Sequence, residues 1–87
     1  MVQQHPNEIK RVVRTAFSEL GLTGSELANL DESLLVQDGR YFGRSYLAGK
    51  YMAMWMIDVH LIQFYGPEGE MLRTIDLAAN KQRRHAA

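Results

Sequence analysis

The chain has no cysteine. That excludes a disulfide framework and a thiolate metal site, and it fits a reducing, cytoplasmic setting. No apolar run approaches the roughly 20 residues of a membrane-spanning helix, so no membrane partner is expected. The opening segment, Met1-Val2-Gln3-Gln4-His5-Pro6, has no basic stretch followed by an apolar one, which argues against a signal peptide. Net charge is missing too, because ten acids balance ten bases. A balanced chain is not what a dedicated polyanion binder looks like, and it lacks the repulsion that keeps copies apart. Basic residues are absent between Arg14 and Arg40, where Glu19, Glu26, Asp31, Glu32 and Asp38 lie.

What is present is a globular composition, 46% hydrophobic in 87 residues. That length supports one small core, and only about 60–70% of the unfolded surface is hidden in so short a chain. The expected organisation is one domain over residues 1–80 and a disordered basic tail at 81–87 that carries Lys81, Arg83 and Arg84.

The clearest periodicity covers residues 8–20. Ile9, Val12, Val13, Ala16, Phe17 and Leu20 recur at helical spacing and predict one apolar face. Pro6 suits the first turn, and Gly21 followed by Leu22 suits a Schellman ending. Thr23 and Glu26 match a capping box for a short helix near residues 24–30, with Leu27 and Leu30 inward.

Beyond that point the signals are those of strands and turns. Asp38-Gly39 between Leu34–Gln37 and Arg40–Ala48 predicts a type I′ hairpin. Gly43 within the second strand marks a bulge or a close backbone approach. Gly49-Lys50 is a second tight turn, and residues 66–70 are another, with Pro67 and two glycines. Asp58-Val59-His60 is either a turn or a bulged continuation. The resulting fold class is α+β: an N-terminal amphipathic helix packed on an antiparallel meander of four or five strands. This order resembles the helix-then-meander layout of cystatin-like folds in architecture, and no sequence motif of that family is present.

The central stretch is Tyr51-Met52-Ala53-Met54-Trp55-Met56-Ile57, without charge, glycine or proline. As a strand it carries Tyr51, Ala53, Trp55 and Ile57 on one side and Met52, Met54 and Met56 on the other. Both sides are apolar, and one helix covers one side. The second side needs the short helix with the C-terminal segment, a second copy, or a different partner. Methionine suits an adaptable contact. The leading expectation is therefore a small, non-enzymatic protein-interaction domain that self-associates through its second sheet face. Met52, Met54, Met56 and Trp55 are the decisive residues.

The alternative is single-stranded nucleic-acid binding. Seven of the eight aromatics lie between Tyr41 and Tyr65, and Arg40, Tyr41, Phe42, Arg44 and Lys50 interleave basic with aromatic side chains. Catalysis, a metal and a cofactor are not expected. His5, His60 and His85 fit no metal-ligand spacing. Asp58, His60 and Ser45 make only a nominal triad, and Glu68 and Glu70 flank a solvated turn.

Overall fold

The computed structural model describes residues 5–78. The expected tail at 81–87 lies outside the described residues, as do Ala79 and Asn80.

Helix α1 spans Pro6–Glu19. It starts two residues earlier than the apolar repeat, because His5 caps it: the His5 Nδ1 accepts a bond from the Asn7 N–H at 3.1 Å. Pro6 then occupies the first helical position, where no N–H is needed. The helix ends as its sequence predicts. Gly21 takes φ +106°, the Leu22 N–H reaches the Phe17 carbonyl, and the Gly21 N–H reaches that of Ser18. These are the two bonds of a Schellman motif, and Leu22 folds into the core beneath it.

Helix α2 spans Gly24–Ala28, shorter than the expected 24–30. Both capping-box bonds between Thr23 and Glu26 are formed. The Asn29 side chain bonds the Ser25 carbonyl, and the helix stops there.

Five strands follow: β1 Asp31–Gln37, β2 Arg40–Ala48, β3 Tyr51–Met56, β4 Leu61–Tyr65 and β5 Met71–Asp76. They form one antiparallel meander in the order β1-β2-β3-β4-β5. Asp38 and Gly39 both have positive φ, as a type I′ turn requires. Gly49 alone is positive in the β2–β3 turn. The undecided segment at 58–60 is a turn, with His60 at φ 56°. Gly43 is both of the things expected of it. The β1–β2 register shifts beside it, leaving Phe42 as the extra residue on β2. A side chain there would also strike the backbone of β3.

Alternation then sorts the sheet into two faces. Tyr46, Ala48, Ala53, Trp55, Ile62 and Phe64 turn toward α1 and are buried. They meet Ile9, Val13, Ala16 and Phe17 of the helix. Phe17 stands edge-on to Tyr51 and Phe64, with ring centroids 6.5 and 5.4 Å apart. Arg73 of β5 reaches Glu19 near the end of α1 and fixes the helix across that side of the sheet. Leu27 and Leu30 pack against the same core, so α2 belongs to the helical layer rather than to the opposite face.

Candidate functional site, the open sheet face

The other face is built by register. One row crosses the sheet as Asp31, Leu47, Met52, Tyr65 and Met71. The middle row is Ser33, Ser45, Met54, Gln63 and Thr74, and the third is Leu35, Gly43, Met56, Leu61 and Asp76. Met54 is therefore the centre of the face, on the middle strand and in the middle row. Among the described residues no helix lies over these rows. Met52, Met54 and Met56 are half-buried by their neighbours alone, while Leu47 is 42% and Met71 53% exposed.

The polar groups of this face are mostly bonded within it. Tyr65 donates its hydroxyl to Gln63 at 2.9 Å. Thr74 donates to the Met71 sulfur at 3.3 Å, and the Asp76 carboxylate accepts from the Ala78 N–H. Covering the face would still desolvate Asp31, Ser33 and Ser45, whose side chains make no such bond, unless the covering surface supplies one. Its two acids, Asp31 and Asp76, stand at diagonally opposite corners of the three rows.

The structure separates one of the four expected interface residues from the others. Trp55 is 2% exposed and faces α1, because it alternates with the methionines along β3. It belongs to the core and not to the open face. Its indole N–H and the Tyr46 hydroxyl are both buried without a hydrogen-bond partner. Burial, with the Glu32 carboxylate beside it, pushes the Tyr46 hydroxyl above the ordinary tyrosine value.

Of the basic and aromatic residues singled out for nucleic-acid binding, Tyr41 and Arg44 meet, and the five do not form one surface. Arg40 and Tyr41 sit at the β1–β2 hairpin, and Lys50 sits in the turn at the opposite end of β2, about 30 Å away for ten extended residues. Arg44 lies on the helix-side face. It is already bonded to Glu32 at 3.0 Å and to the Tyr41 hydroxyl at 2.9 Å, and it rests over the Tyr41 ring. The bond to Tyr41 leads in holding its guanidinium charged, above its ordinary value. Phe42 is half-buried at the bulge, where its carbonyl accepts from the Ile57 N–H.

Other candidates are equally dispersed. Asp58 and His60 lie exposed in the β3–β4 turn, whereas Ser45 lies in the middle row of the open face. Glu70 folds back on its own turn and accepts from the Glu68 N–H. A shallow groove between α1 and β5 is floored by Val12, Ala16 and Ile75, and its acid, Glu19, is held by Arg73. Among the described residues no cluster of His, Asp or Glu could hold a metal ion, and no helix is long and apolar enough to cross a membrane. Comparison with protein families, curated proteins and solved structures finds no match to this chain.

Proposed function

We propose that this protein is a small, non-enzymatic interaction domain that self-associates through the open sheet face, in a cytoplasmic setting that its lack of cysteine fits. The observation that carries this reading is the partly buried methionine row, flanked by the exposed Leu47 and Met71, with no described element over it. The favoured occupant is a second copy, for two reasons.

The first is area. Five strands about 4.8 Å apart and about six residues long give a face of roughly 500 Å² in projection. Two such faces reach about 1,000 Å² before side-chain relief is counted, the threshold for a specific interface. The second is charge. Asp31 and Asp76 occupy diagonal corners, and Met71 and Leu35 occupy the other two. Turning a second copy about an axis along the strands or across them lays each acid over an apolar corner of its partner. Aligned packing of two sheets is the common sandwich arrangement. A two-fold contact of this kind uses one patch twice and closes on itself.

Sedimentation equilibrium over a range of concentrations tests the reading. The native chain associates, and Met54→Lys stays folded and loses the face contact. A native chain that stays monomeric at the highest concentration ends it.

A further inference from the structure

The sheet has a second unpartnered surface, its β1 edge. Among the described residues β1 pairs only with β2, so its other side presents free backbone N–H and C=O groups. Natural edge strands are blunted by proline, by charged side chains, by bulges or by brevity. β5, the other edge, shows two of these devices: an extra residue, Leu72, in its register, and Arg73. β1 has two acids at its start, Asp31 and Glu32, of which Glu32 is held by Arg44, and residues 33–37 carry no such device. Asp31–Gln37 is seven residues long, without proline, Lys or Arg, and the bulged residue beside it belongs to β2. Leu34 is 58% and Val36 57% exposed along this edge. Helix α1 does not shield them, because it seats over Tyr51 and Phe64 and reaches Arg73 of β5.

We infer that β1 pairs antiparallel with β1 of a second copy, centred on Leu34, and joins two sheets into one of ten strands. The strand is self-complementary in that register. Leu34 faces Leu34, Glu32 faces Val36 and Asp31 faces Gln37 of the partner. The exposed Leu34 and Val36 of both copies then form one cross-strand cluster. The acids sort to opposite ends, Asp31 to Asp31 about 20 Å apart, beyond the screening length at physiological salt. A parallel pairing sets like acids side by side and is disfavoured. The two-fold axis runs perpendicular to the sheet, so both helical layers stay on one side and both methionine faces on the other. The contact is therefore independent of the face-to-face one and compatible with it.

Sedimentation of four chains separates the two contacts. With both present, the native chain assembles beyond the dimer: four chains where the face axis runs across the strands, and an open-ended array where it runs along them. Leu34→Lys, at a position exposed enough to tolerate it, leaves the face contact alone and raises the edge dissociation constant at least tenfold. Met54→Lys leaves a dimer held by the edge, and the double variant is monomeric. If the face contact fails and the edge holds, Met54→Lys is still dimeric and Leu34→Lys is a monomer. The reverse pattern overturns the edge contact. So does amide exchange in residues 31–37 that is no slower at high concentration than at low, or slow exchange there in a monomer. Because the chain has no cysteine, register is read directly. Leu34→Cys forms a disulfide-linked dimer under mild oxidation, and Val36→Cys, four residues off its own image, does not. Equal cross-linking of the two overturns the register.

Discussion

A Cβ placed on Gly43 would collide with the Trp55 carbonyl oxygen. β2 and β3 therefore touch backbone to backbone at that point, beside the bulge that leaves Phe42 unpaired. Any side chain at 43 must push the central strand away. Gly43→Ala is expected to cost about 1–3 kcal/mol, the range for overpacking a tight site, seen as a lower urea midpoint with an unchanged slope. Gly24→Ala, where no atom lies within reach of the added methyl, is the control and leaves the midpoint nearly unmoved.

Phe17 carries the contact between the two layers. It is fully buried and meets Tyr51 and Phe64 edge-on. Phe17→Ala is expected to cost about 3–5 kcal/mol. A domain of this length has roughly 4–13 kcal/mol to lose, so the variant gives up a large share of its stability and melts well below the native chain. Phe17→Leu keeps most of the volume and melts cooperatively at a lower temperature.

Most of this architecture was legible because local chemistry and global fold agree. The Gly21–Leu22 ending, the Thr23–Glu26 box and the Asp38–Gly39 turn each demand one geometry, and each adopts it. The methionine side of β3 was legible because strand alternation does not depend on context. What escaped were features set by partners distant in sequence. His5 reads as a tail residue until its ring is seen capping α1. β1 begins at Asp31 rather than Leu34, because β2 is long enough to pair with three further residues. Trp55 was grouped with the methionines by chain proximity, although alternation alone places it on the helix side. Arg44 reads as a free cation, and only the register reveals Glu32 beside it.

Tyr46 makes stability sensitive to alkali. Its hydroxyl is buried beside Glu32 and stays protonated in the folded state above the pH at which a free tyrosine ionises. Above that ordinary value the unfolded chain binds fewer protons than the folded one, so stability falls as pH rises. The slope from this group approaches about 1.4 kcal/mol per pH unit. Tyr46→Phe is expected to remove that slope in urea titrations above pH 10.

Met54 and Trp55 are neighbours in sequence that point to opposite sides of the sheet, which separates association from folding in one experiment. Trp55 is the only tryptophan, and it is sealed against α1. Its emission therefore reports the core alone. Met54→Lys places a charge at the centre of the open face, where it opposes self-association without entering the core. The expected result is loss of the face contact by sedimentation, complete to the monomer when Leu34→Lys is added, with a tryptophan emission that stays that of a buried indole and resists aqueous quenchers. If the emission instead shifts to that of a water-exposed indole, the methionine row is internal structure and the face is not an interface. Met54→Cys gives the complementary reading. Residue 54 lies at the centre of the face, so a two-fold pairing brings both copies of it together, and the chain has no other thiol to confuse the product. Concentration-dependent cross-linking there by a thiol-reactive bifunctional reagent that spans the roughly 10 Å between packed sheets, absent for Cys placed at the exposed Val59 in the β3–β4 turn, is the outcome that the face-to-face pairing requires.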